Sequence, residues 1–160
     1  MIKKILLLLI TFVPSLQASE IFINNETYCL ARNIYFEAGN QPLAGRIAVA
    51  HVTLNRVNDV QFPNTICAVV YQTKWKINWK GNKVPVLNKC QFSWFCDGKP
   101  DKPTDSKTWM ESLAVAERTR MNIYPDITEN SLWYHADYVK PFWSKYLKQT
   151  VRIENHLFYK

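Results

Sequence analysis

Four cysteines constrain the fold of this 160-residue chain more than any other feature of its sequence: Cys29, Cys67, Cys90 and Cys96. An even set of cysteines in an oxidising compartment is typical of disulfide bonds, and four cysteines permit three pairings. Joining Cys90 to Cys96 would close a short loop, but the sequence leaves all three pairings open. No CxxC pair occurs, and no histidine lies at metal-ligand spacing from a cysteine. Disulfides are therefore favoured over a zinc site or a catalytic thiolate.

The N-terminal segment predicts the compartment. Two lysines precede an apolar run at residues 5–13, and Ala18 offers a small residue for cleavage, which is the layout of a secretory signal peptide. A membrane span needs about 20 apolar residues, so this run is too short to remain as an anchor. We expect a signal peptide at residues 1–18, a mature catalytic domain at residues 19–160, and a secreted or periplasmic protein without a stable membrane anchor.

Composition narrows the function classes. Apolar residues make up 48% of the chain and charged residues 21%, which is typical of a globular domain. Lys and Arg outnumber Asp and Glu by 20 to 13, giving a formal charge of +7, and losing the two signal-peptide lysines would leave +5. This balance favours acidic polymers as partners. Nucleic acid is not expected, because the basic residues are scattered rather than gathered on one helix and the N-terminal segment predicts export. Neither phosphate-binding glycine motif occurs, which excludes nucleotide-driven chemistry.

Apolar periodicity and capping signals predict four helices. Their signals are a cap at Asn24 or Asn25 with a stop at Gly39-Asn40, starts at Pro42 and Pro63, and a cap at Asp105. Residues 75–79 alternate apolar and polar side chains, which predicts a half-buried strand, and Pro85 confines the return strand of a hairpin to an edge. Residues 124–160 are interpreted as an extended aromatic tail. We predict a mainly helical α+β domain with a small β-hairpin region.

Glu37 is the carboxylate that departs from this pattern. It stands at the C-terminal end of an otherwise apolar helix, between Phe36 and Ala38. The helix dipole disfavours an anion there, and apolar neighbours disfavour the charged form. Both effects raise the pKa and would keep a proton available near neutral pH, as a glycosidic general acid requires. On this pattern alone, a surface glutamate ending an amphipathic helix is the stronger interpretation.

Several blocks of sequence, in order, carry a resemblance to a known family. They are IYFEA (34–38), GRIAVAHVTLNRV (45–57), FPNTICAVVYQ (62–72), CQFSW (90–94) with CDG (96–98), YHADYVKP (134–141), Trp143 and HLFY (156–159). From about Cys29 to the last residue, the chain resembles the SleB/CwlJ-type cell-wall hydrolases. The resemblance implies peptidoglycan cleavage in a compact fold related to lysozyme-like lytic transglycosylases, with glycan strands as partner.

The resemblance implies that Glu37 is the catalytic acid. It would protonate the glycosidic oxygen between N-acetylmuramic acid and N-acetylglucosamine, after which the muramic 6-hydroxyl forms a 1,6-anhydro end. Muramidase-type hydrolysis, the alternative, needs a second carboxylate. Many relatives carry a second glutamate four residues later, where this chain has Gln41. Glu26, Asp59 and Asp97 remain, of which Asp97 is the best candidate, although a turn role is more ordinary for it.

Five supporting residues are candidates for substrate binding: Gln91, Ser93, Phe92, Tyr134 and His135. Strand alternation places the first two on one side and Phe92 with Trp94 on the other, so one pair faces the core. We favour Gln91 in the cleft. For His135 a structural role is at least as well supported.

Other polar and aromatic residues are interpreted as structural. His51 and Asn55 share one side of the second helix, where bonding within the core is favoured over contact with Glu37. Trp75 and Trp79 fit a half-buried hairpin better than a glycan platform.

Two further function classes stay open. A zinc amidase would share the substrate, but the three histidines lack HExxH-like spacing. A non-catalytic wall-binding or carbohydrate-binding module is the other alternative. We expect no cofactor, no metal and a monomer.

Overall fold

Four helices, five strands and two short 3-10 helices are formed by residues 24–160, the part of the chain that this computed structural model describes. The predicted signal peptide at residues 1–18 lies outside the described residues. In chain order the elements are α1 (Asn25–Ala38), α2 (Leu43–Val57), α3 (Ile66–Val70), β1 (Thr73–Ile77), β2 (Lys83–Cys90), a 3-10 helix (Ser93–Cys96), α4 (Ser106–Arg120), β3 (Trp133–Ala136), a 3-10 helix (Phe142–Lys145), β4 (Gln149–Ile153) and β5 (His156–Tyr159). Among these residues, none of the helices is both long and apolar enough to cross a membrane.

The helix boundaries follow the capping signals. Asn24 Oδ1 accepts a hydrogen bond from the Glu26 N–H at 2.8 Å, and Asp105 Oδ1 accepts one from the Thr108 N–H at 2.7 Å. Helix α1 ends just before Gly39, as predicted. Helix α3 begins later than Pro63 indicated, because the Thr65 hydroxyl supplies the acceptor for its first turn.

The core lies where α1 packs against the other three helices. Its fully buried residues include Leu30, Ile34, Ala50, Val69 and Ala116. A buried polar chain crosses it: Trp94 Nε1 donates to Asn33 Oδ1 at 3.0 Å, and Asn33 Nδ2 donates to Thr53 Oγ1 at 3.1 Å. Because buried polar groups are costly when unpaired, these two hydrogen bonds fix the second half of α1 against α2 and the first 3-10 helix.

Two disulfides decide between the pairings that the sequence left open. Cys29 is bonded to Cys67, which ties α1 to α3, and Cys90 is bonded to Cys96, which ties the end of β2 to the end of the first 3-10 helix. The helical core and the base of the hairpin therefore each hold one crosslink.

Strands β1 and β2 form the predicted antiparallel hairpin, with Pro85 opposite Trp75. The prediction of half-burial is wrong: Trp75 is 44% exposed and Trp79 is 90% exposed. The ribbon has only two strands among the described residues. The Trp75 ring packs on Phe95, with 6.0 Å between ring centres, whereas Trp79, beyond the end of β1, is almost fully exposed.

Residues 124–160 are more ordered than the extended tail that we predicted. They contain a three-stranded antiparallel sheet in the order β3-β5-β4. The central strand contributes Phe158, which is fully buried against Ala48 and Val52 of α2. The sheet thus packs on α2 and brings β3 toward the end of that helix.

Candidate active site

Glu37 lies in the last turn of α1, partly accessible to solvent. Tyr134 of β3 donates a hydrogen bond from its hydroxyl to Glu37 Oε2 at 2.9 Å. Burial raises the pKa of the Glu37 carboxyl above its ordinary value, while the Tyr134 hydrogen bond and the positive charge of Arg56 oppose that rise. Since burial has the larger effect, the carboxyl holds its proton to higher pH than an ordinary glutamate.

Arg56, in the last turn of α2, supplies the buried cation near this carboxyl. It is 4% exposed, and its guanidinium lies 5.2 Å from the ring centre of Phe62 and 5.0 Å from that of Phe92. Its Nε donates to the Leu132 carbonyl at 2.7 Å, whereas its Nη1 has no hydrogen-bond partner within residues 24–160. Burial lowers the pKa of Arg56, but a guanidinium remains charged at neutral pH.

Sequence reasoning did not single out Arg56 as a functional residue. A signal was present, because Arg56 follows Val49 and Val52 at helical spacing and therefore falls on the buried face of α2. Burying a charged residue on such a face is costly unless the charge is paired or hydrogen-bonded, so its position indicates a partner elsewhere in the fold.

Tyr134 is held rigidly by the sheet. Its ring centre lies 5.3 Å from that of His156 and 5.6 Å from that of Phe158. Burial and the nearby Glu37 raise the pKa of the Tyr134 hydroxyl well above its ordinary value, so the hydroxyl keeps its proton and acts as a donor. We predicted Tyr134 as a substrate contact, and in the structure its hydroxyl donates to the Glu37 carboxyl.

The predicted contacts after β2 divide by burial. Gln91 and Ser93 are exposed, whereas Phe92 is 2% exposed and Trp94 is 7% exposed. Phe92 as a sugar-stacking residue is therefore a wrong prediction, because its ring is buried beneath the Arg56 guanidinium.

His135 does not reach Glu37 either. Its Nδ1 lies 2.8 Å from the Ala136 carbonyl oxygen and its Nε2 lies 2.9 Å from the Tyr159 hydroxyl. Successive side chains of a strand point to opposite faces, so the residue after Tyr134 in β3 faces away from the carboxyl. The predicted substrate contact at His135 is thus a buried structural histidine.

His51 and Asn55 have the structural roles that we favoured. His51 Nε2 lies 3.0 Å from the Tyr124 carbonyl oxygen, and Asn55 Nδ2 donates to Asp126 Oδ2 at 3.0 Å. Both residues fix the segment between α4 and β3 rather than the carboxyl of Glu37.

Each candidate second acid is engaged by backbone N–H groups. Glu26 accepts from Ile66 at 2.6 Å, Asp59 accepts from Gln61 at 2.8 Å, and Asp97 accepts from Lys99 at 2.9 Å. Glu26 also stands eleven residues before Glu37 on the same helix, which separates them by about 16 Å along the axis. In residues 24–160, no three His, Cys, Asp or Glu side chains are grouped to hold a metal ion.

Comparison with known families decides the relationship. The family described as Cell Wall Hydrolase matches residues 40–159. This chain belongs to the cell wall hydrolase family. The matched segment begins three residues after Glu37, and its first helix is α2. The resemblance that the sequence blocks predicted is confirmed.

Curated relatives of this cell wall hydrolase are spore cortex-lytic enzymes. The chain is 41% identical over 51 residues to that of Bacillus subtilis (strain 168), covering 32% of this chain and 17% of the relative. It is 34% identical over 61 residues to that of Oceanobacillus iheyensis, covering 38% of this chain and 22% of the relative. The matched segments thus span about a fifth of the length of these relatives.

Two solved structures share the fold. The catalytic domain of the Bacillus cereus SleB protein superposes with a TM-score of 0.60 at 26% identity, covering 85% of this chain and 90% of that domain. The catalytic domain of the germination-specific lytic transglycosylase SleB from Bacillus anthracis gives a TM-score of 0.62 at 25% identity, covering 88% and 98%. The predicted mainly helical α+β class is confirmed.

Proposed function

We propose that this cell wall hydrolase cleaves the glycosidic bond between N-acetylmuramic acid and N-acetylglucosamine as a lytic transglycosylase, with Glu37 as general acid and base. The observation that carries the proposal is a partly accessible carboxyl whose pKa is raised by burial while a tyrosine hydroxyl and a buried arginine stabilise its anion. One of the solved relatives is a lytic transglycosylase.

In the first step Glu37 donates its proton to the glycosidic oxygen as the bond from that oxygen to the muramic C1 breaks. The leaving sugar departs as an alcohol, and an oxocarbenium-like centre develops at C1. Glu37 becomes a carboxylate at this moment. The Tyr134 hydroxyl and the charge of Arg56 stabilise this anionic form, so their effect is greatest in the transition state.

In the second step the Glu37 carboxylate removes the proton of the muramic 6-hydroxyl, whose oxygen attacks C1. A 1,6-anhydro ring closes and Glu37 is protonated again. One carboxyl serves both steps because the nucleophile belongs to the same sugar and is already positioned. This fits a site in which Glu26, Asp59 and Asp97 are each bonded to backbone N–H groups.

Mass spectrometry of the muropeptides released from purified peptidoglycan tests the proposal. The oxidised mature protein should release products with 1,6-anhydro ends, and Glu37→Gln should lower the rate by about 10²–10⁴-fold. Circular dichroism and thermal unfolding of Glu37→Gln control for its fold.

Three other results would overturn parts of the proposal. Reducing muramic ends would show hydrolysis and direct attention to Asp97 as a second carboxylate. Intact glycan chains with freed peptides would show an amidase. A fully active Glu37→Gln would remove Glu37 from the mechanism, and a protein that binds the wall without releasing products would be a binding module.

A further inference from the structure

The β1–β2 hairpin lies in a stretch of the chain that has basic residues and no acidic ones. Residues 60–96 contain no acidic residue, and their basic residues are Lys74, Lys76, Lys80, Lys83 and Lys89. All five lysines are exposed, and none forms an ion pair with another residue in the described range 24–160. The hairpin therefore carries five exposed ammonium groups. Their total charge equals the net charge of +5 expected for residues 19–160.

A cavity of about 440 Å³ lies at the base of this hairpin. It is lined by Gln72, Thr73, Lys74, Lys89, Cys90 and Gln91. The strands separate there: Thr73 pairs with Cys90, but the next pair is Trp75 with Pro85, so Lys74 faces a bulge in β2. Bulges of this kind re-aim side chains, and this one leaves two lysines and two glutamines around one cavity.

The base of the hairpin is held in place at both strands. The Gln91 N–H donates to the Gln72 carbonyl at 3.0 Å, and the Cys90–Cys96 disulfide closes the segment that follows. The cavity is thus a built feature of the fold rather than a frayed end of the ribbon.

Apolar side chains lie between the lysines. Ile77 is 67% exposed, and the exposed rings of Trp75 and Trp79 each lie beneath an ammonium group, Lys83 Nζ at 4.9 Å and Lys80 Nζ at 4.8 Å from the ring centres. Flat rings pack against sugar faces and peptide groups, whereas ammonium groups bind carboxylates. A polymer that carries both kinds of group matches this surface.

The base of the hairpin is also connected, through the first 3-10 helix, to the turn of α1 that carries Glu37. Strand β2 leads through Gln91 to the first 3-10 helix, where the Trp94 ring stacks on Phe36 with 4.7 Å between ring centres. Phe36 is the residue before Glu37. The base of the hairpin is therefore packed, through Trp94, against the turn of α1 that carries Glu37.

We propose that the β1–β2 hairpin is a docking surface for the peptide stems of peptidoglycan, in which Lys74 and Lys89 bind the free carboxylate of a stem at the cavity. The inference rests on the proposed function and adds recognition of the stem to recognition of the glycan. An anionic membrane is the less favoured occupant, because a lysine ammonium group lies over each exposed Trp ring.

Binding to insoluble sacculi tests this inference in the Glu37→Gln background, where the polymer stays uncut. Lys74→Gln/Lys89→Gln should bind intact sacculi about fivefold more weakly. The same variant should bind stem-free glycan strands, prepared with an amidase, as the parent does. A matched control, Lys107→Gln/Lys148→Gln, removes two exposed lysines outside the hairpin and should bind sacculi within twofold of the parent.

Any of three results would overturn the inference. The two double variants bind intact sacculi equally weakly, or Lys74→Gln/Lys89→Gln binds stem-free strands as weakly as it binds intact sacculi. In the third, Lys74→Gln/Lys89→Gln loses binding only to vesicles of phosphatidylglycerol and phosphatidylcholine. Salt gives an independent measurement, because added NaCl should weaken parent binding to intact sacculi more than to stem-free strands. Cleavage of stem-free strands by the protein with Glu37 intact is assayed separately. If the protein does not cleave these strands, the proposed function is refuted, whereas the binding result still stands.

Discussion

The Glu37 site and the β1–β2 hairpin carry charge in opposite ways. At the site, the half-buried Glu37 and the buried Arg56 lie near each other. Glu37 accepts a hydrogen bond from Tyr134, and Arg56 donates one to the Leu132 carbonyl. On the hairpin, five lysines of one sign are exposed, and none of their ammonium groups donates a hydrogen bond to a described residue.

Buried and exposed charges affect their surroundings differently, so the two regions should respond differently to substitution. A charge in a buried site shifts the pKa of its neighbours and depends on single hydrogen bonds. Exposed charges contribute little individually, act together and are screened by salt. We therefore expect single substitutions to alter the chemistry at Glu37 and only combined substitutions to alter capture by the hairpin.

The largest expected difference between the regions is in stability, through their disulfides. Cys29 and Cys67 are separated by 38 positions, so removing this bond from the helical core should cost about 4 kcal/mol in the free energy of unfolding. Cys90 and Cys96 are separated by 6 positions, and removing their bond should cost about 2 kcal/mol. Urea denaturation of the two double Cys→Ala variants measures both.

The same pair of variants separates stability from function. The Cys90→Ala/Cys96→Ala variant should keep the cleavage of stem-free glycan strands while binding intact sacculi more weakly, because its lost bond holds the hairpin base. A larger stability loss in this variant than in Cys29→Ala/Cys67→Ala would contradict the expectation that the crosslink closing the longer loop contributes more to stability.

Sequence alone predicted the parts of the molecule that depend on near neighbours. The caps at Asn24 and Asp105 act within one helical turn, and both were predicted. Glu37 was identified from its place at a helix end together with the family resemblance. Its partners were harder to find, because Tyr134 contacts it across 97 positions of the chain, and no local pattern reports such a contact.

The strands were predicted less well for a different reason. Alternation of Trp75 and Trp79 with lysines looks the same whether the apolar side is covered or open, and here it is open. In β5, by contrast, burial of His156, Phe158 and Tyr159 removes a clear alternation. A short central strand of four residues in the predicted tail therefore gave no periodic signal.

Arg56→Met tests the buried cation at the Glu37 site and should have the next largest effect. The Leu132 carbonyl loses its donor, which should cost about 2 kcal/mol in the free energy of unfolding. The charge of Arg56 lowers the pKa of Glu37, so its loss should raise that pKa further. The alkaline limb of kcat/KM should then move to higher pH.

Arg46→Met is the matched control for Arg56→Met. Arg46 is partly buried, pairs with Glu111 at 2.5 Å and donates to the Gly39 carbonyl at 2.7 Å. Unlike Arg56, it is not among the groups that shift the pKa of Glu37. Its loss should reduce stability and leave the alkaline limb in place. Movement of the limb in both variants would mean that net charge, rather than Arg56 itself, sets the pKa.

Tyr134→Phe removes a single hydroxyl and should have the smallest effect on stability, about 1 kcal/mol. Its hydrogen bond lowers the pKa of Glu37, so the variant acid should stay protonated to higher pH. Activity requires the protonated acid and falls as pH rises through its pKa, so the alkaline limb of kcat/KM should shift upward. Tyr159→Phe, which removes the hydroxyl bonded to His135, should leave the limb unchanged. A downward shift in Tyr134→Phe would show that the hydroxyl stabilises the protonated carboxyl, and Tyr134 could then not be the group that favours the anion as the proton leaves.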